Sequence, residues 1–124
     1  MAAAIARAVA GDGVRIESAG VGAISGADAT PEAREAVRRM GIEMGEHASR
    51  PLTRQLIEEA DEIVCMTPDH VIGVLELDPE ARGKTTTLAG EPIPDPIGMP
   101  LEHYVRTART LRALIQRRMQ EAQL

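Results

Sequence analysis

The apolar residues of the chain follow two kinds of spacing. In five segments they recur every three or four residues, which predicts helices with one buried face. In three shorter segments they alternate with polar residues or belong to apolar or β-branched runs, which predicts strands. The predicted helices are 1–10, 30–41, 53–60, a segment beginning at Thr67-Pro68, and 101–122; the predicted strands are 14–18, 63–66 and 85–88.

The order of these elements predicts the fold class. Helices and strands alternate, which is typical of an α/β protein: here a three-layer αβα architecture with a parallel sheet. The run Ile63-Val64-Cys65-Met66 is apolar throughout, which predicts a strand covered on both faces. Ligands of such folds bind at the carboxyl ends of the strands, here the loops starting at Ser18, Thr67 and Ala89.

Composition and charge narrow the class of protein. Hydrophobic residues make up 44% and charged residues 27%, a globular balance, and 124 residues fit one domain over 1–124. The net charge of −5 gives no basic field that would hold nucleic acid or an anionic membrane. The chain has neither a run long enough to cross a bilayer nor a secretory signal. A cytoplasmic protein is therefore expected, with neither nucleic acid nor a membrane as its partner.

The cysteine and the histidines suggest no metal site. Cys65, the one cysteine, lies in the apolar strand, where burial is expected to raise the pKa of its thiol and to favour a structural role over a nucleophilic one. His47, His70 and His103 lack the close spacing of metal ligands. Neither a metal nor another cofactor is predicted.

Asp95 is the most suggestive candidate for chemistry. It lies between Pro94 and Pro96, which keep the backbone extended and stiff and so fix the position of the carboxyl group. Its loop follows a predicted strand, at the edge where sites form. A fixed and partly desolvated carboxyl group is suited to act as a general acid. Taken alone, an Asp-Pro pair is more often just a turn.

Several short motifs occur in order along the chain. They are Ser18-Ala19-Gly20-Val21, Ala29-Thr30-Pro31, the stretch from His47 to Thr53 (HASRPLT), Ala60-Asp61 leading into Ile63-Val64-Cys65-Met66-Thr67, and Asp95-Pro96 followed by Gly98. In order and spacing, over essentially the whole chain, the set resembles the low-molecular-weight protein phosphatase family, which includes tyrosine phosphatases and bacterial arginine phosphatases. The resemblance implies a flavodoxin-like fold with a four-stranded parallel sheet flanked by helices.

The resemblance also implies a mechanism and a set of roles. In the family, a cysteine thiolate in a C-x5-R loop attacks phosphorus, and an aspartate in an Asp-Pro loop protonates the leaving group; Asp95 matches that aspartate. Ser18 and His47 match positions whose hydrogen bonds support the phosphate loop. Ile97 replaces the aromatic residue that usually follows Asp-Pro, so the wall beside the substrate is altered. The partner implied is a phosphorylated protein or a small phosphate ester.

The start of the chain departs from the family pattern. Family members begin with a strand and the C-x5-R loop, whereas residues 1–7 resemble the helix that follows that loop. Cys65 is no substitute, because Val71 stands six residues later where an arginine is required. The chain is therefore expected to lack the first, central strand of the fold and to be inactive by itself. Such a sheet is expected to be unstable, to re-pair strands 14–18 and 63–66 directly, or to belong to a fragment.

Three interpretations of the function follow from this departure. The favoured one is a phosphatase whose start was assigned too late; the second is a non-catalytic interaction or regulatory module. Arsenate reduction on the same fold needs further redox cysteines and is disfavoured by the presence of Cys65 alone. Whether phosphotyrosine, phosphoarginine or a smaller ester is the substrate, and what the oligomeric state is, stay open.

Overall fold

The computed structural model describes residues 1–11, 13–20, 29–45 and 50–121. Helices and strands alternate along the chain much as the sequence predicts. The elements are α1 (Ala2–Ala10), α2 (Pro31–Arg38), α3 (Arg54–Glu59), β1 (Ile63–Cys65), α4 (Pro68–Leu77), a 3-10 helix (Pro79–Lys84), β2 (Thr85–Thr87) and α5 (Leu101–Glu121). The 3-10 helix is the element that the apolar spacing did not predict.

Threonine side chains start three of the helices. The Oγ1 atoms of Thr30, Thr53 and Thr67 each accept a hydrogen bond of 3.2 Å from the backbone N–H three residues later. These bonds satisfy amide groups that have no acceptor within the first turn of a helix. The sequence placed the second helix up to Gly41, but α2 ends at Arg38, and Gly41 then takes a left-handed conformation with φ of +79°.

The larger core lies where α5 packs against α1 and α2. The face of α5 that helical spacing predicted to be innermost is the buried one. Because almost no aromatic side chain is available, alanine and branched aliphatic residues fill the space. The buried members are Ile5, Ala6, Ala33, Ala36, Val37, Tyr104, Ala108, Leu111 and Ile115.

The sheet consists of β1 and β2, which pair in parallel with Ile63 opposite Thr85 and Cys65 opposite Thr87. The prediction that the first of these strands is covered on both faces is wrong, because Val64 is 36% exposed. On that side α5 contributes Arg118, which bonds to Glu62 and Thr86, since the apolar face of α5 packs on the other helices. The other side carries a small buried cluster: Ile57, Cys65, Val74 and Ala81.

The predicted strand 14–18 is not a strand in the part of the chain that the structure describes. The apolar residue Ile16 packs on the larger core without belonging to a strand. Gly20, two residues after the end of the segment, forms an isolated parallel bridge with Pro51. Of the three outcomes expected for this sheet, direct re-pairing of this segment with β1 does not occur, since among the described residues β1 pairs with β2 alone. Alternation fixes which side chains face inward, but a strand also needs a neighbouring backbone to pair with.

A lysine side chain ties the end of α3 to the start of β2. The Nζ atom of Lys84 donates hydrogen bonds of 2.6 and 2.7 Å to the backbone oxygens of Ile57 and Ala60. Carbonyl groups at the end of a helix lack intrahelical donors, and a cation there also interacts favourably with the helix dipole. The half-buried Lys84 therefore anchors the small cluster.

Replacing Lys84 by methionine is expected to lower the free energy of unfolding by about 2 kcal/mol, because it leaves two helix-end carbonyls without their charged donor. Urea denaturation followed by circular dichroism measures this. Arg82→Met is the matched control: Arg82 is exposed in the same 3-10 helix and makes no ion pair with the described residues, so the change is expected to stay within about 0.5 kcal/mol. Equal losses in the two variants would contradict the anchoring role.

Candidate active site

The loop that follows β2 is anchored to the carboxyl end of β1. The N–H of Leu88 donates to the Cys65 oxygen at 2.8 Å, and the N–H of Ile93 donates to the Met66 oxygen at 3.0 Å. These bonds carry the chain across the end of the sheet. Asp95 follows two residues after the second bond, so it lies at the sheet edge where ligands bind in this class of fold.

Asp95 is held within a tight turn. One of its carboxylate oxygens, Oδ1, accepts a hydrogen bond of 3.0 Å from the backbone N–H of Ile97. Pro96 is buried, whereas Asp95 is exposed, so the proline anchors the loop while the carboxylate faces outward. The loop closes with a 2.9 Å bond from the Met99 N–H to the Pro96 oxygen, across Gly98 at φ of +78°. The carboxyl group is thus fixed by its own turn.

The carboxylate of Asp95 lies near the start of α1. Burial lowers the pKa of the Met1 amine, and the negative charge of Asp95 acts in the opposite direction and raises it. The Asp95 carboxylate is thus within electrostatic range of the Met1 amine at the amino-terminal end of α1. That end of α1 is the positive end of the helix dipole.

An open cavity of about 180 Å³ lies at the same end of α1. The first intrahelical bond of α1 runs from the Ile5 N–H to the Met1 oxygen, so the amides before Ile5 have no acceptor within the helix. Amides in that position are suited to bind an anion such as phosphate. The cavity is lined by Met1, Ala2, Ala3, Ala4, Arg7, Ser18 and Met44.

Two arginines position the segment that carries Ser18. Arg50 donates from Nε to the Ser18 oxygen at 2.9 Å and forms an ion pair of 3.3 Å with Glu17. Arg7 of α1 donates from Nε and Nη2 to the Ile16 oxygen at 3.0 and 2.8 Å. The sequence alone gave no role to either arginine, because a bond to a distant backbone oxygen leaves no motif.

The pattern of the whole chain decides its family. Residues 1–121 match the family described as low molecular weight phosphotyrosine protein phosphatase. The chain belongs to this family. The low molecular weight phosphatase fold expected from the resemblance is thereby confirmed, as an α/β architecture whose described sheet has two paired strands.

Three similar proteins illustrate the range of this phosphatase family. The protein-arginine-phosphatase of Geobacillus stearothermophilus is 35% identical over 129 residues, covering 99% of this chain and 86% of that protein. The protein-tyrosine-phosphatase Etp of Escherichia coli (strain K12) is 34% identical over 88 residues, covering 68% of this chain and 60% of Etp. The solved YwlE arginine phosphatase from Geobacillus stearothermophilus superimposes with a TM-score of 0.91 at 34% identity, over 98% of this chain and 82% of that one.

The other residues singled out in this chain differ in their positions. Ile97 is 69% exposed, two positions after Asp95 on the same loop. Ser18 is exposed at the rim of the cavity. His47 lies outside the residues that the structure describes.

Cys65 is buried, and the expectation for its thiol is confirmed. Desolvation raises the pKa of the Cys65 thiol, so little thiolate forms near neutral pH. The side chain belongs to the small cluster beside the sheet, away from the cavity. Within the described residues, no cluster of three or more potential metal ligands occurs, and no helix is both long and apolar enough to cross a bilayer.

Proposed function

We propose that this chain carries the general acid of a cysteine-dependent protein phosphatase, and that Asp95 is that acid. One observation supports this above all. The Asp95 carboxylate, fixed by the Ile97 N–H, interacts electrostatically with the Met1 amine at the amino-terminal end of α1, and Met1 lines the cavity that Ser18 borders. Membership of the phosphatase family and the unpaired amides of α1 agree with a phosphoryl group bound there.

The proposed reaction has two steps. A cysteine thiolate attacks phosphorus and forms the S–P bond, the bond from phosphorus to the leaving atom breaks, and Asp95 gives its proton to that atom so that it departs neutral. In the second step Asp95 takes a proton from water, which attacks the phosphocysteine. The S–P bond breaks, inorganic phosphate leaves, and both the thiolate and the protonated Asp95 are regenerated.

The thiolate of this proposal is not Cys65. Its thiol is buried with a raised pKa, and the residue six positions later is Val71 instead of the arginine that would grip the phosphoryl group. We therefore assign the nucleophile to a C-x5-R segment other than these 124 residues, and infer that the 124 residues by themselves are inactive. A non-catalytic interaction module is the alternative. It is favoured by the lack, in these 124 residues, of a cysteine followed six positions later by an arginine.

Three further residues receive supporting roles in the proposal. Ser18 and His47 hydrogen-bond to the phosphate-binding loop and keep it in shape. Ile97 forms one wall of the substrate pocket, which agrees with its exposed position on the Asp95 loop. A branched aliphatic wall in place of a planar aromatic one offers no ring face against which a planar substrate group could stack.

A chain that includes the nucleophile tests this function. The extended chain is this sequence preceded by a strand and a C-x5-R segment, taken from the in-frame DNA before Met1 or grafted from the Geobacillus arginine phosphatase. We propose phosphorylated protein as its substrate, and a cytoplasmic location stays a prediction. Release of inorganic phosphate is measured with peptides bearing phosphotyrosine or phosphoarginine. Hydrolysis of one class at a rate at least about tenfold above the other identifies the substrate; hydrolysis of neither contradicts the function and favours the interaction module.

A further inference from the structure

α5 carries exposed positive charges that form no ion pair with the described residues. α5 contains five arginines and two glutamates in a chain whose net charge is −5. Arg106, Arg109 and Arg112 are exposed, and none of them forms a hydrogen bond or ion pair with the part of the chain that the structure describes. We call these three residues the α5 arginine row.

Several other arginines on the described surface form ion pairs. Arg38 and Arg39 pair with Glu35, Arg54 pairs with Glu58, and near the end of α5 itself Arg117 pairs with Glu121. Those pairs follow the favourable spacing of three or four residues along a helix.

The row departs from this spacing. Arg109 and Arg112 have no acidic residue three or four positions away, and their neighbours at that distance within the row carry the same charge. Glu102, four residues before Arg106, can offset one charge at most. Like charges at this spacing destabilise a helix. The row therefore lowers the stability of α5 as long as nothing binds to it.

The α5 arginine row begins eleven residues after Asp95 in the chain. Asp95 lies six residues before Leu101, where α5 starts, and the His103 N–H bonds to the Pro100 oxygen at 3.0 Å as the helix begins. At 1.5 Å per residue, Arg106 lies about 7 Å along α5 and Arg112 about 9 Å beyond it. Six extended residues span at most about 22 Å, so Arg106 lies within about 30 Å of Asp95, and an extended substrate segment of about ten residues can reach the row.

We propose that the α5 arginine row is a docking surface for an acidic segment of the phosphoprotein substrate. The proposal rests on the proposed function for the identity of the partner. Guanidinium groups bind carboxylates through paired hydrogen bonds, and three of them that have no partner among the described residues complement a run of glutamate or aspartate. An acidic segment lying there brings the phosphorylated residue toward Asp95, and the rest of the surface, which is acidic, repels the same segment.

Binding of an acidic peptide to the 124-residue chain tests the docking surface without any catalysis. The probe is a fluorescein-labelled peptide of ten glutamates, followed by fluorescence anisotropy in low salt. Arg106→Glu, Arg109→Glu and Arg112→Glu together are expected to raise the Kd at least about tenfold. The control combines Arg15→Glu, Arg54→Glu and Arg82→Glu, which changes the net charge equally at exposed sites elsewhere and is expected to alter the Kd less than about twofold.

Several outcomes would overturn the proposal. They are absent peptide binding, equal weakening in both triple variants, equal binding of a ten-nucleotide uridine strand, or a dimer in sedimentation velocity that only the variant of the row abolishes. Should charge reversal unfold the helix, replacement of the same three arginines by glutamine is expected to raise the Kd at least about fivefold.

Catalysis by the extended chain tests the identity of the partner. Its kcat/KM is expected to be about tenfold higher for a phosphopeptide flanked by glutamates than for one flanked by serines. Replacement of the three arginines of the row by glutamate should remove that preference and leave hydrolysis of p-nitrophenyl phosphate unchanged. Loss of all hydrolysis by the extended chain would refute the proposed function, whereas a preference that survives this replacement would refute docking.

Discussion

Replacing Asp95 by asparagine in the extended chain is expected to lower turnover roughly 10²–10⁴-fold, the contribution typical of a general acid. The asparagine side chain keeps an oxygen that can accept the 3.0 Å bond from the Ile97 N–H, so the turn is preserved. What it lacks is a proton to give to the departing atom. Phosphate release from p-nitrophenyl phosphate, with unchanged thermal unfolding, separates lost chemistry from lost structure.

The control for this variant is Glu91→Gln. Glu91 is an exposed carboxylate in the same loop, four residues before Asp95, with no hydrogen bond or ion pair to the described residues. The same loss of one negative charge there is expected to change turnover less than about twofold. A similar fall in both variants would mean that the charge of the loop, and not proton donation by Asp95, determines the rate.

The 124-residue chain by itself is expected to leave p-nitrophenyl phosphate intact, with phosphate release no faster than in a heat-denatured sample. The reason is chemical: its one thiol is buried and protonated, and no arginine follows it at the spacing that holds a phosphoryl group. Uncatalysed hydrolysis of phosphate monoesters is among the slowest biological reactions known, so even weak catalysis would be detected.

A Cys65→Ser variant completes this test. If the 124-residue chain hydrolyses the ester and the serine variant does not, Cys65 is the nucleophile, and the assignment of the thiolate to a separate C-x5-R segment is wrong. If the extended chain is active and stays active with Cys65→Ser, the buried thiol has no part in the reaction. The fold of the Cys65→Ser variant is first checked by circular dichroism in both the 124-residue chain and the extended chain.

Local chemistry explains which elements the sequence predicts well. The N-caps at Thr30, Thr53 and Thr67 depend on one side chain and an amide three residues away, so short-range sequence contains all that determines them. The buried face of α5 likewise follows from the helical repeat, because apolar residues three or four positions apart lie on the same side of a helix.

Non-local contacts explain what the sequence missed. Residues 14–18 have the alternation of a strand, yet Ile16 is held by Arg7 and Ser18 by Arg50, contacts that depend on how distant segments pack. Val64 stands in an apolar run but is partly exposed, because the apolar face of α5 packs against other helices. An apolar run indicates a preference for burial, but it does not show whether another element packs against it.

The candidate site also has features that the local sequence predicts and features that depend on distant contacts. The turn that fixes Asp95 follows from its flanking prolines and its own carboxylate, and both are visible in the sequence. Its position at the carboxyl end of the sheet depends on the bonds from Leu88 and Ile93 to β1, which no local pattern predicts. The role of Asp95 stays a prediction of family resemblance and geometry together.

The dependence of turnover on the leaving group tests proton donation by Asp95 most directly. A general acid matters most when the departing oxygen is strongly basic, as in phenyl phosphate, and least when it is weakly basic, as in 2,4-dinitrophenyl phosphate. In the extended chain, Asp95→Asn is therefore predicted to slow phenyl phosphate hydrolysis at least about tenfold more than hydrolysis of the dinitrophenyl ester. Equal slowing of the two esters would contradict the account, because Asp95 would then act on something other than the leaving group.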